Sequence, residues 1–100
     1  MARVVLDLNN PEFQKNWFAL EREEQLAVLA TLGKIQQMEW DQLYRDRGLH
    51  WEAIQSRSGP NDRRIYSLRV TRRSRAVAYR DGDVLRFLTV HADHDAAYRK

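Results

Sequence analysis

The chain has 100 residues, 43% of them hydrophobic, with three Trp, four Tyr and three Phe, enough apolar side chain for one modest core; a single domain over residues 1–100 is expected. It carries a formal net charge of +3 and no cysteine, which excludes a disulfide framework, a thiolate nucleophile and a Cys-based zinc site. The N-terminal apolar run is too short for a secretory signal and no window approaches the ~20 apolar residues of a membrane span, so a soluble cytoplasmic protein with no membrane contact is expected.

Residues 3–8 are β-branched and apolar and predict a short strand, closed by Asn9-Asn10-Pro11, where either asparagine can cap the helix that the proline opens. The helix continues to about residue 20. From Glu21 to Met38 the apolar positions Leu26, Leu29, Leu32, Ile35 and Met38 recur at helical spacing, predicting a helical hairpin or one bent helix. Residues 40–44 extend the helix or add a turn, and Gly48 ends it before residues 49–54. Residues 56–62, with Ser56, Gly59, Pro60 and Asn61, predict a loop.

Beyond that loop the period changes from helical to two. Tyr66, Leu68 and Val70 alternate with Ser67, Arg69 and Thr71, as in a strand with one core face and one outward face, and Arg69 belongs to the outward set. Residues 75–80 and 84–90 flank Asp81-Gly82-Asp83, a strong hairpin signal. The expected architecture is therefore α+β: an N-terminal strand and helical hairpin packed on an antiparallel sheet of about four strands, with a short helical turn over residues 93–100.

Charge is unevenly distributed. Residues 1–56 hold six Lys/Arg against nine acids, whereas residues 57–100 hold eleven basic groups against five acids, and ten of the eleven are arginine. The planar guanidinium suits bidentate phosphate contact, so the strand-rich part predicts a polyanion-binding surface, the alternative being a merely solvated basic face.

The order of elements, the strands Tyr66-Ser-Leu-Arg-Val70 and Arg75-Ala-Val-Ala-Tyr79, the Asp-Gly hairpin and the closing His91-Ala-Asp-His94-Asp95-Ala-Ala-Tyr98 resemble the RelE/ParE superfamily of bacterial toxins of type II toxin–antitoxin systems. The resemblance spans nearly the whole chain and is specific from about Tyr66 to Tyr98. For the RelE-like branch it implies an endoribonuclease that cuts mRNA in the ribosomal A site and is silenced by a co-expressed antitoxin. It also implies that Arg75 lies close to the scissile phosphate and that Tyr98 lies over the RNA.

Cleaving RNA without a metal requires a deprotonated 2′-hydroxyl, a stabilised phosphorane and a protonated 5′-oxygen. Arg75 is the expected charge stabiliser and Arg69 its helper. His94 and His91 are acid/base candidates, because an imidazole in model peptides titrates at ~6.5, close to neutral pH; their individual roles are unassigned. Tyr98 can stack on a base and contact phosphate. Arg64, Arg72, Arg73 and Arg80 are expected RNA-binding groups, and Glu52 is an alternative general base. The structural alternatives are that Arg75 pairs with Asp81, Asp83 or another acid in the sheet, that His91 and His94 are surface or capping residues, that Tyr98 anchors the terminus, and that Glu52 is ordinary helix-edge packing. The cluster of His91, Asp93, His94 and Asp95 has no fixed ligand spacing, so neither a metal nor another cofactor is expected. RelE-like enzymes rely on lysines that are nearly absent here, with Arg63, Arg64, Arg72 and Arg73 forming the basic surface instead. The competing functions are a ParE-like poison of DNA gyrase, against which the histidine-rich tail argues, and a non-catalytic module that binds RNA or an antitoxin.

Overall fold

A computed structural model describes residues 2–92. Strand β1 (Val5–Asp7) is followed by helices α1 (Pro11–Ala19), α2 (Arg22–Gln36) and α3 (Trp40–Arg45), and then by strands β2 (Glu52–Ser58), β3 (Arg64–Arg69), β4 (Ser74–Asp81) and β5 (Val84–Ala92). The five strands form one sheet in the order β1-β5-β4-β3-β2. The expected α+β arrangement of helices packed on a sheet is present. The sheet has five strands rather than about four, and its β1–β5 pairing is parallel while the others are antiparallel. The short helical turn expected over residues 93–100 lies outside the described residues.

Local chemistry accounts for the helices. Asn10 caps α1, its side-chain oxygen accepting from the N–H groups of Glu12 (2.7 Å) and Phe13 (3.3 Å), with Pro11 at the first helical position. The two helices form a hairpin in which the Trp17 indole donates to the Gln25 carbonyl at 3.2 Å and the Gln25 amide donates to that of Phe18 at 2.9 Å. On α2 the buried residues are Val28, Leu32 and Ile35, while Leu26 and Leu29 are 57% and 52% exposed. A row spaced by three residues drifts around an α-helix by about 60° per step, so only the C-terminal part of the row expected from sequence meets the core. Val28, seven residues before Ile35, lies almost in line with it and takes the core position instead.

The main core lies between the helices and one sheet face: Phe13, Leu32, Ile35, Trp40 and Leu43 pack against Leu68, Ala76, Ala78, Leu85, Phe87 and Val90. The N-terminal segment is drawn in by backbone bonds from Val4 N–H to the Met38 carbonyl and from Trp40 N–H to that of Ala2, both 2.9 Å. The other sheet face carries a small apolar cluster of Ile54, Ile65 and Val77, with Tyr79 and Leu88 against it.

One segment differs from expectation. Residues 56–58, expected in a loop, complete β2, because pairing of Glu52 with Ser67 and of Ser58 with Arg64 along the β3 edge overrides weak strand propensity. The β4–β5 connection is a two-residue loop whose first member, Gly82, has φ 62°, the position that a type II′ turn reserves for glycine. Among the described residues no helix is long and apolar enough to cross a membrane.

Gly59 is constrained by space. A Cβ there would stand 2.3 Å from Cγ2 of buried Ile65, whose branched side chain cannot swing aside. Gly59→Ala should destabilise the protein by about 1–3 kcal/mol in denaturant titrations, and a combined Gly59→Ala/Ile65→Ala variant should lose less than the sum of its parts.

Candidate functional site

The register of the three central strands places Arg69 of β3 opposite Arg75 of β4, and Arg75 opposite His91 of β5. Directly opposed residues in antiparallel pairs project from the same face with Cβ atoms ~5 Å apart. Two guanidinium groups and an imidazole therefore form a cross-strand row on the face away from the helices. The adjoining row is Glu52, Ser67, Val77 and Thr89, one residue from each of β2 to β5. Arg75 is only 9% exposed, and its Nη1 donates to the Ser67 hydroxyl at 3.4 Å. The Arg69 Nε is buried with no hydrogen-bond partner among the described residues.

A bulge in β5 creates this row. Val77 pairs with Thr89 but Ala78 pairs with Phe87, so Leu88 is an extra residue in the ladder. Leu85 and Phe87 face the main core at odd positions, and beyond the bulge Val90 does so at an even one. Without the phase change His91 would face the helices. The side chain of Asn16 on α1 secures the irregular ladder, its Oδ1 accepting the Val90 N–H at 3.1 Å.

Two further attachments shape the neighbourhood. The Glu24 carboxylate on α2 accepts from the hydroxyls of Thr71 and Ser74, holding the β3–β4 turn and leaving Arg72 and Arg73 exposed at its tip. Asp46 organises the approach to β2: its Oδ1 accepts the Leu49 N–H at 2.9 Å and its Oδ2 meets Lys34 Nζ at 3.3 Å, while the Leu49 carbonyl accepts the Arg69 N–H at 2.6 Å. Partial burial raises the Asp46 pKa, but the Leu49 hydrogen bond and the Lys34 charge outweigh it, so the carboxyl lies below its ordinary value. His50 follows in the left-handed region, φ 51°, and its Nε2 lies 3.2 Å from Oε1 of Glu52.

Of the residues singled out from sequence, Arg69, Arg75, His91 and Glu52 thus come together, with Arg72 and Arg73 on the adjoining turn. Arg64 and Arg80 lie elsewhere. Arg64 is exposed at the far end of β3, and Arg80, on the helix-facing side, stands 4.2 Å over the Trp40 ring while donating to the Tyr44 hydroxyl at 2.9 Å. The two named acids that Arg75 could pair with, Asp81 and Asp83, have other partners. Asp81 is instead held by Arg63 (3.1 Å) and Arg86 (3.0 Å), and Asp83 lies 3.8 Å from Arg80. The hydrogen bond from Arg86 and the charge of Arg63 lower the Asp81 pKa; Arg86, bonded to Asp81 and Asp7, is raised above its ordinary value. His94 and Tyr98 lie outside the described residues, as do Asp93 and Asp95. Among the described residues no three His, Cys, Asp or Glu side chains are grouped to hold a metal ion.

Sequence reasoning did not single out His50, Ser67 or Asn16. Ser67 was recoverable from period two, since it precedes Arg69 by two positions on the same strand face. His50 and Asn16 depend on a loop and on a helix-to-sheet contact that leave no local signal.

No family model matches the chain, and no curated protein matches it. Among solved structures it is similar to a copper-bound mutant toxin from Helicobacter pylori, with 16% sequence identity over 93% of this chain and 96% of that one and a TM-score of 0.49.

Replacing Asn16 with Ala should leave the Val90 N–H without its acceptor and cost about 1–3 kcal/mol in chemical denaturation. The Asp46 carboxyl, lowered on folding, adds stability above the unfolded carboxylate pKa of ~3.9 and loses it as pH falls through the folded value. Asp46→Asn should therefore melt below wild type at neutral pH, and the gap should narrow on acidification below about pH 4.

Proposed function

We propose that this protein is the toxin of a type II toxin–antitoxin system, a RelE-like, metal-independent endoribonuclease that cuts mRNA in the ribosomal A site. The observation that carries the reading is the shared row of Arg69, Arg75 and His91 on the sheet face away from the helices. With Glu52 as the one carboxylate in the two rows, that face presents more positive than negative charge, which suits a bound phosphate. The motif resemblance from Tyr66 to Tyr98 supports the same reading.

In this mechanism Arg75, with Arg69 beside it, stabilises the charge that develops on the phosphorane, and its burial makes that interaction stronger than it would be in water. The 2′-hydroxyl loses its proton to a base and the 5′-oxygen receives one from an acid. His91, His94 and Glu52 are the candidate groups, and the His50 Nε2 lies 3.2 Å from Oε1 of Glu52. Tyr98 stacks on the RNA or contacts its phosphate. No cofactor takes part. Translation stops because the message is cut, and a cognate antitoxin covering the arginine face or displacing the C-terminal segment silences the enzyme. The work is done in the cytoplasm, by a single domain, on mRNA held in the ribosome.

The test is to incubate the protein with ribosomes holding end-labelled mRNA and an empty A site, then map new RNA ends. Wild type should cut within the A-site codon, and Arg75→Ala should lower the rate by about 10²–10³-fold while remaining folded at the assay temperature, as checked by its melting curve. Full activity in Arg75→Ala would reject this assignment. Absence of cutting by wild type, with or without ribosomes, would transfer the reading to gyrase poisoning or to binding alone.

A further inference from the structure

Arg69 belongs to a second feature besides the cross-strand row. It lines an open depression of about 360 Å³ at the end of the sheet, bounded by Thr31 and Lys34 of α2, by Arg47, Gly48 and Leu49 before β2, and by Val70, Thr71 and Arg72 after β3. Four cationic residues from three separate segments line it, and among the described residues its lining includes no carboxylate. Lys34 is engaged by Asp46 and the Thr71 hydroxyl by Glu24. Arg47 and Arg72 are exposed and make no ion pair among the described residues, and the Arg69 Nε is buried without a partner among them. The two apolar members, Leu49 and Val70, are 2% exposed, so most of the depression's surface belongs to its polar and charged residues. That suits a compact anion and not an apolar ligand.

We propose that this depression is a second binding site for a backbone phosphate of RNA, with Arg47 as its principal ligand outside the catalytic row. Arg69, common to the depression and the row, makes the two sites contiguous. One strand can then place its scissile phosphate at Arg75 and a flanking phosphate at Arg47 and Arg72. The like charges of Arg47, Arg69 and Arg72 repel one another, and a phosphodiester relieves that repulsion with release of counterions from the RNA. The proposal rests on the ribonuclease reading only for the identity of the neighbouring site.

Binding is therefore measured without chemistry, by fluorescence anisotropy of the full-length protein with a labelled 2′-O-methyl oligoribonucleotide, which lacks the attacking hydroxyl, over a range of salt concentrations. Arg47→Gln should weaken binding about fivefold near physiological salt and reduce the magnitude of the log K against log salt slope by about 0.7, one phosphate contact on a single strand. Arg45→Gln, the same charge change two residues away and outside the depression, should do neither. Equal effects of the two substitutions, or no effect of Arg47→Gln, would overturn the proposal. So would an Arg47 effect on inorganic phosphate that is absent with the oligonucleotide. Cleavage of ribosome-bound mRNA is scored separately: an intact Arg47 effect in a protein that cuts no RNA would support the phosphate site while removing the ribonuclease reading.

Discussion

The extra residue in β5 is the constraint on which the candidate site depends. Side chains in a strand alternate faces with period two, so inserting one residue reverses the facing of everything beyond it. Leu85 and Phe87 complete the core beneath the helices on one side of the bulge and Val90 does so on the other, while His91 is delivered to the opposite face beside Arg75. The ladder is disturbed there, and the carboxamide of Asn16 accepts a backbone N–H that would otherwise lack a side-chain partner from α1. Core packing and site assembly are thus two outcomes of one irregularity, tied to the first helix by one hydrogen bond.

The arginines divide into two populations by position along the sheet. At the end bearing the Gly82 turn, Arg63 and Arg86 share Asp81, Arg86 also reaches Asp7, and Arg80 lies over Trp40. These groups join β1, β4, β5, α3 and the loop before β3, and their charge is largely matched. At the other end Arg69, Arg72, Arg73 and Arg75 gather around the β3–β4 turn, with Arg47 across the depression. A residue count merges both populations into one basic half. The fold separates charges that are matched across the strands from charges gathered around the β3–β4 turn.

The anchors of this second population are carboxylates whose roles are structural. Glu24 secures the turn through Thr71 and Ser74, and Asp46 fixes the loop that brings Leu49 to the backbone of Arg69 and Glu52 to the edge of the rows. The Leu49 N–H and the Lys34 charge favour the ionised form of Asp46, which holds its carboxyl below the ordinary value. His50 adopts a left-handed backbone at the end of that loop. Such a conformation costs a β-carbon-bearing residue about a kcal/mol or more and is maintained by surrounding contacts, here the Asp46 carbonyl that accepts its N–H at 3.2 Å.

Much was legible from local chemistry. The capped start of α1 at Asn10-Pro11, the strands around Tyr66, Ala76 and Leu85, the glycine turn between the last two, and the outward facing of Arg69 and Arg75 follow from period, capping and turn geometry, each confined to a few neighbouring residues. Other features require partners distant in sequence. Residues 52–58 become a strand because the β3 edge supplies its hydrogen bonds, and Leu26 and Leu29 remain exposed because the core meets α2 along Val28 and Ile35. His91 joins Arg75 only through the bulge, and His50 meets Glu52 only through the loop held by Asp46. The sequence by itself determined which segments could be helix or strand and which carried cations, since those depend on near neighbours. Which faces met, and hence which cations stood together, was decided by register and packing between residues dozens of positions apart.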